Sequence, residues 1–252
     1  MASLDSVKQK IFRAVLHGKA LEPELLGYFD TNPGKMVRDP DSSSEKPTFT
    51  FQPKGPIPAR FGLIVGDCLQ NLRSSLDYLV WELVLAENKQ PGKHNMFPIC
   101  ETPDIFKNEV TKRNRLLGAP TDAIALIETL QPYHLGKDWQ KSTLWVLNEF
   151  TNINKHRRVL LTMLRAARSN IDVININGEL WSHGPVPIFD GDAKIGPPVA
   201  DSAGQMKMDA QLLACVTFDE GPAKGMEITI CLNEWLNYVL NGIVPMFERF
   251  FT

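Results

Sequence analysis

The feature that most constrains the fold is a helical apolar pattern that begins after Pro58 and continues to about Asn88. At the rise of an α-helix, this stretch predicts a helix about 45 Å long. Its apolar stripe repeats at helical spacing and consists of Leu69, Leu72, Leu76, Leu79 and Leu83. Because a stripe of this kind faces a core, we expect the helix to pack inside a bundle.

The same predicted helix also carries polar side chains. Asp67 and Asn71 follow the helical period on the side opposite the leucines. Arg73 and Asp77 flank the leucine stripe and, four residues apart, can form an ion pair. Polar groups in a segment typical of a core need partners, so these residues predict either a structural network or a binding site.

A second polar group lies in the segment LNEFTNINKHRRVLL. Ser142 can cap a helix that continues through this segment to about Arg168. Its main apolar face comprises Phe150, Ile153, Leu160, Leu161 and Leu164. The opposite side carries Asn148, Asn152, Lys155 and His156. Apolar residues also occur on that opposite side, which favours a central position in the bundle.

Arg157 is the most demanding residue of this predicted helix, because it falls in the middle of the apolar face. A guanidinium buried there would need a carboxylate partner. Asp67 and Asp77 on the first helix are the candidates. This pairing would fix the register of the two helices.

The remainder of the first half predicts more helices and one hairpin. The pattern favours a helix over residues 4–17 and a shorter helical turn around residues 23–29. The stretches GKMVRD and PTFTFQ resemble two strands joined by a turn. Thr/Pro pairs at 102–103 and 120–121 mark the starts of two further helices.

The composition shifts toward strands after Asn170. IDVININ and MEITICL alternate, and LLACVTF is rich in residues that favour strands. We expect LLACVTF and MEITICL to form a hairpin. A last helix is predicted to begin near Asn233 and to be kinked or broken around Gly242 and Pro245.

These patterns predict an α+β protein with a single domain over residues 1–252. A helical core at about 59–168 contributes to a bundle of about four to six helices. The strand-rich part, at about 170–232, precedes the terminal helix. A small antiparallel sheet is expected to combine N- and C-terminal segments.

Charge and cysteine usage limit the function classes. The formal net charge of -2 over 252 residues argues against a surface wholly adapted to nucleic acid, although a local basic patch is compatible with it. The four cysteines are widely spaced, and we expect buried thiols in a reducing cytoplasm. The start lacks the order of a signal peptide, and no apolar run approaches a membrane span.

Familiar cofactor and metal signatures are missing from the sequence. The five histidines are scattered rather than spaced as zinc ligands. No phosphate-binding GKS or GKT loop, GxGxxG fingerprint or GxSxG elbow occurs. We therefore expect no metal and no cofactor.

Four short motifs resemble those of a widespread set of bacterial proteins. They are GDxLxNLRSxLD at 66–77, FPI at 97–99, LQPY at 130–133 and NxxKHR at 152–157. The similarity covers residues 62–161, about two fifths of the chain. No activity is established for that set, so this resemblance implies none.

A more distant similarity is to HEPN-type helical bundles, many of which are metal-independent ribonucleases that act as dimers. Their mark is an Arg followed by a His after four to six residues, with both side chains directed at the scissile phosphate. Here Arg13 and His17 are separated by three residues, and Lys155, His156 and Arg157 have the chemistry without the spacing. This resemblance would imply a ribonuclease and a homodimer.

Two interpretations of the polar residues remain open. In the first, the polar helix faces form an anion-compatible pocket for a nucleotide, RNA or another phosphate-bearing ligand. His156 would then act as acid or base, and the binding residues would be Asp67, Asn71, Asn152 and Lys155. In the second, the protein is a non-catalytic interaction protein whose helix packing is fixed by a lattice of Arg73, Asp77 and Arg157. The sequence does not decide whether the protein is an enzyme.

Overall fold

A computed structural model describes residues 2–38, 49–164, 171–174, 180–183 and 215–251. Its α-helices are α1 (Asp5–Asp30), α2 (Ala59–Ala86), α3 (Pro103–Thr111), α4 (Thr121–Thr129), α5 (Thr143–His156) and α6 (Ile228–Asn237). Its strands are β1 (Gly34–Arg38), β2 (Phe49–Pro53), β3 (Leu161–Leu164), β4 (Ile171–Ile174), β5 (Leu180–His183) and β6 (Cys215–Phe218). The predicted α+β class is confirmed. None of the described helices combines the length and the apolar character needed to cross a membrane.

Helices α1 and α2 pack along each other at the centre of the bundle. The predicted leucine stripe of α2 is buried along its whole length. On α1, Leu21 and Leu25 are buried on either side of Pro23. The two helical pieces predicted for this region are therefore one continuous helix, because the same apolar face packs inward before and after the proline.

Helix α5 crosses α2 at Gly66, and the chain just after α5 passes Gly62 of the same helix. The side-chain amide of Asn154 donates a hydrogen bond to the Gly66 carbonyl oxygen at 3.2 Å. A Cβ at Gly66 would lie only 2.7 Å from Cγ of Asn154, and one at Gly62 only 2.8 Å from Cγ of Arg158. Residues without side chains at these two positions allow the helices to approach closely.

The helix starts predicted for α3 and α4 are confirmed. The Thr102 hydroxyl caps α3 by accepting a hydrogen bond from the Ile105 amide at 3.2 Å. Helix α4 begins at Thr121 after Pro120. Two short, tight helical turns within Pro132–Lys141, separated by a kink at Gly136, connect it to α5. Ser142 precedes α5 but makes no side-chain cap.

The strands form three separate antiparallel pairs within the described residues. Strands β1 and β2 form the predicted N-terminal hairpin, with Gly34 opposite Pro53; its predicted turn at 39–46 lies outside the described residues. Strand β3 pairs with β6, and β4 pairs with β5. The expected combination of N- and C-terminal segments in one sheet is therefore not found among these strands.

The predicted continuation of α5 to about Arg168 is wrong. The helix ends at His156, and Arg157 has an extended backbone with φ -162° and ψ 161°. The following segment becomes β3, whose partner β6 lies more than 50 residues away in sequence. The helical spacing of the leucines beyond Arg157 was misleading, because a distant strand determines their conformation.

The predicted strand MEITICL is also wrong, because α6 begins within it at Ile228. The buried residues of α6 are Ile228, Cys231, Leu232, Trp235 and Leu236, which have helical spacing. A wider helical turn follows at Tyr238–Ile243 and a tighter one at Val244–Phe250. This irregularity agrees with the break predicted around Gly242 and Pro245.

Replacing Gly66 with Ala should lower the free energy of unfolding by about 1–3 kcal/mol, because the new Cβ would overlap the Asn154 side chain. Gly27→Ala is the matched control, since a Cβ at Gly27 in α1 meets no atom within 4 Å. That control should be neutral or slightly stabilising. Urea denaturation of both variants measures the difference, and equal stabilities would contradict the close crossing.

Candidate functional site

The buried Arg73 and the half-buried Asp77 of α2 form a clamp on the backbone of Phe97. Arg73 donates one hydrogen bond to the Asp77 carboxylate at 2.7 Å and another to the Phe97 carbonyl oxygen at 2.9 Å. The same Asp77 oxygen accepts a hydrogen bond from the Phe97 amide at 2.9 Å. Both backbone groups of Phe97 are thus satisfied by one ion pair, which gives these two residues a structural role.

Gln131 holds the next part of the same extended segment. Its side-chain oxygen accepts a hydrogen bond from the Cys100 amide at 2.9 Å, and its side-chain nitrogen donates to the Pro98 carbonyl at 3.0 Å. The same nitrogen also donates to the Ile127 carbonyl at 3.0 Å. Gln131 is buried. Its role was not predicted, although it belongs to the LQPY motif.

Asn95 is another side chain that forms hydrogen bonds with backbone groups outside the helices. Its side-chain oxygen accepts a hydrogen bond from the Gly92 amide, and its nitrogen donates to the carbonyls of Arg115 and Leu117. The residue is buried. The motifs at 66–77, 97–99 and 130–133 therefore meet in one structural cluster rather than in an open cleft.

Arg157 does not pair with Asp67 or Asp77, and its predicted position on a buried apolar face is wrong. Its side chain is 53% exposed and forms an ion pair with Glu220. One of the two contacts is a hydrogen bond of 2.6 Å to the Glu220 carboxylate. The same carboxylate accepts a hydrogen bond from the Leu160 amide at 2.8 Å. Arg157 and Glu220 thus connect the end of α5 to the loop after β6.

The environment of Glu220 favours its charged form. Partial burial raises the pKa of this carboxyl, but the hydrogen bonds from Arg157 and the Leu160 amide and the charge of Arg157 outweigh burial. The net pKa is therefore lower than the usual value of 4.5. Glu220 stabilises the fold when it is ionised.

Asp67 and Asn71 occupy the outer part of α2. Asp67 is exposed, and Asn71 is half-buried. The Asn71 side chain donates a hydrogen bond to the Asp67 carbonyl oxygen at 2.8 Å, within the same helix. This hydrogen bond uses the Asn71 side chain within α2 and leaves the Asp67 carboxylate out of the contact.

Asn152, Lys155 and His156 do not face the α2 contact. At about 100° per residue, Asn152 and His156 project from α5 on roughly the opposite side from Asn154, which touches Gly66. Asn152 accepts a hydrogen bond from Lys155 at 3.3 Å, and His156 is exposed. Among the described residues, the hydrogen bonds of Asn71, Asn152 and Lys155 stay within their own helices and do not join α5 to Asp67 or Asn71.

A groove of about 220 Å³ lies where α2 begins and the chain leaves α5. Residues 55–59 and 158–162 form most of its wall, together with Pro53 and Gly62. The charged residue in this wall is Arg158, whose aliphatic carbons lie beside Gly62. Arg158 adjoins the predicted residues but was not singled out, because its position depends on where α5 ends.

Arg158 is exposed, and no ion pair among the described residues involves it. It differs in this respect from its neighbour Arg157, which Glu220 neutralises. Helix α2 begins at Ala59, also in the groove wall, with no side chain capping its first turn. A cation and a helix N-terminus both favour a negative ligand.

Cys68, Cys100 and Cys231 are buried thiols that form no disulfide. Burial is the main cause that raises the pKa of each of these three thiols to about 12. They are protonated at neutral pH and so are poor nucleophiles. Across the described part of the chain, no group of three or more His, Cys, Asp or Glu side chains could hold a metal ion.

No protein-family model, no curated protein and no solved structure matches this chain.

Asp77→Ala should cost about 2–3 kcal/mol of unfolding free energy, because it removes the acceptor of both Arg73 and the Phe97 amide. Asp67→Ala is the matched control on the same helix and should change stability by less than about 0.5 kcal/mol. Chemical denaturation followed by circular dichroism measures both values. An equal loss in the two variants would refute the clamp.

Glu220→Gln should reduce stability at neutral pH, because it removes the charge that pairs with Arg157. The pKa of Glu220 is lower in the folded state, so the stabilisation is present above its unfolded value of 4.5 and is lost as the pH falls below it. The difference in melting temperature between wild type and variant should therefore be largest above about pH 5.5 and shrink toward pH 3. A difference that is independent of pH would contradict this assignment.

Proposed function

We propose that the protein binds a phosphate-bearing ligand in the groove beside Arg158. The observation that carries the proposal is a guanidinium in the groove wall without a carboxylate partner in the described structure. Arginine presents several donors in a planar arrangement that suits phosphate oxygens. This groove replaces the pocket between the polar faces of α2 and α5 as the candidate site.

The start of α2 supports the same ligand class. The first backbone amides of a helix lack intrahelical partners and carry partial positive charge. The residue at the cap position, Pro58, has no side-chain group that could accept a hydrogen bond from these amides. Ala59 and the buried Gly62 line the groove. The Phe61 amide already donates to the Pro58 carbonyl at 3.1 Å, so phosphate oxygens could accept hydrogen bonds from the amides that precede it.

The size of the groove limits the ligand. Sites for drug-sized molecules typically occupy about 300–1,000 Å³, whereas this groove has about 220 Å³. It suits a phosphate group with a small attached body, or one nucleotide phosphate of a larger ligand. Lys155 and His156 lie a few residues from Arg158 and are exposed. Lys155 would contribute positive charge near the site, and we assign no reaction to either residue.

A non-catalytic interaction protein is the second candidate. It is supported by the structural use of the polar motif residues, since Arg73, Asp77 and Gln131 all hold the segment around Phe97. These hydrogen bonds explain the polar residues without any catalytic role. No comparable observation favours the HEPN-like ribonuclease. Its mark requires four to six residues between the Arg and the His, whereas Arg13, which is exposed on α1, is separated from His17 by only three.

Isothermal titration with inorganic pyrophosphate tests phosphate binding directly. Arg158→Ala should weaken binding about tenfold or more, because a charge-assisted hydrogen bond contributes about 1.5–3 kcal/mol. Arg13→Ala is the matched control, since Arg13 is also an exposed arginine outside any described ion pair. It should leave binding unchanged.

Two results would overturn this proposal. One is the absence of pyrophosphate binding by the wild-type protein, and the other is an equal affinity in the Arg158→Ala variant. A short single-stranded RNA titrated in parallel distinguishes a site for small phosphates from a site for a polymer. Binding of either probe should weaken as salt concentration rises.

A further inference from the structure

A second groove, of about 490 Å³, lies between α1 and α6. Its α1 wall includes Val15, Lys19, Glu22, Leu26 and Phe29. Its α6 wall is formed by Thr229, Leu232, Asn233 and Leu236. Leu26, in this wall, is 61% exposed, whereas Val15 and Phe29 are half-buried against the core and present only part of their surface. Exposed apolar residues at this density are characteristic of a contact surface.

The α1 side of the groove carries a regular stripe. Its members follow steps of three and four residues, namely Phe12, Val15, Lys19, Glu22, Leu26 and Phe29. Phe12 is 60% exposed and continues the stripe beyond the groove wall. Alternating steps of three and four residues are the spacing with which helices pack side by side. The stripe has two apolar residues at each end and two opposite charges in the middle.

This stripe is complementary to itself when reversed. Two antiparallel copies centred between Ala20 and Leu21 place Phe12 opposite Phe29 and Val15 opposite Leu26. The same arrangement places Lys19 opposite Glu22, and two-fold symmetry repeats every contact. Apolar residues thus meet apolar residues, and each charge meets its opposite. A parallel arrangement would instead align each charge with its own kind.

We propose that a second copy of this chain occupies the groove, with the two α1 helices antiparallel about a two-fold axis. Neither Lys19 nor Glu22 forms an ion pair within the described residues, so both charges are available to the partner. Opposite charges surrounded by apolar contacts set register and orientation. This proposal rests on α1 and α6 and is independent of phosphate binding.

Charge exchange at the centre of the stripe tests the dimer. In Lys19→Glu, like charges would meet at both symmetry-related contacts, and Glu22→Lys would have the same effect. Each single substitution should raise the dimer dissociation constant at least about tenfold. The double variant K19E/E22K restores opposite pairs and should return the constant to within about threefold of wild type. Sedimentation velocity over a dilution series measures all four proteins.

Two controls separate the interface from general surface effects. Lys112→Glu changes an exposed lysine at the end of α3, and Leu63→Asp changes an exposed leucine on α2. Both should remain dimeric, and circular dichroism should show that every variant is folded. A wild-type protein that is monomeric throughout the micromolar range would overturn the proposal. A dimer unaffected by the single charge reversals, or not restored by the double variant, would overturn it as well.

Discussion

The fold depends on satisfying a buried backbone that belongs to no helix and no strand. Phe97 and Cys100 lie in the core, where unpaired amides and carbonyls would be costly. Arg73 and Asp77 supply partners at one end of this segment, and Gln131 supplies them at the other. These three side chains thus attach the segment to α2 and to the end of α4. The position of α3, which begins shortly afterwards, follows from this attachment.

The second constraint is the close approach of α5 to α2. Gly62 and Gly66 leave room for Asn154 and for the chain beyond it. Because α5 ends at His156, the residues that follow turn toward β6, and Arg157 meets Glu220 there. The same ending places Arg158 beside the start of α2. Neighbouring residues of one short basic run therefore have different environments: one is neutralised, and the next borders a groove.

The structure separates scaffold from surface. Arg73 and Asp77, which the sequence predicted as part of a structural lattice, have their hydrogen bonds satisfied inside the protein. The two grooves instead involve helix ends, loops and the outer side of α1. One groove presents a cation and a helix N-terminus, and the other presents an apolar stripe with central opposite charges. These differences are the basis on which we propose a small anion for the first groove and a second copy of the chain for the second.

The sequence by itself determined the helical bundle, the N-terminal hairpin and the starts of the short helices α3 and α4. It did so because the leucine period of α2 and the Thr102–Pro103 start are local signals. It also determined that Arg73 and Asp77 pair, since they are one helical turn apart. Only the tertiary structure decided where α5 ends. Leu161 has a spacing typical of a helix, but it pairs instead with Phe218 of β6, which is distant in the chain. The partner of Arg157 and the place of Arg158 depended on that ending. Contacts between residues distant in sequence thus decided the candidate site, whereas local periodicity decided most of the fold.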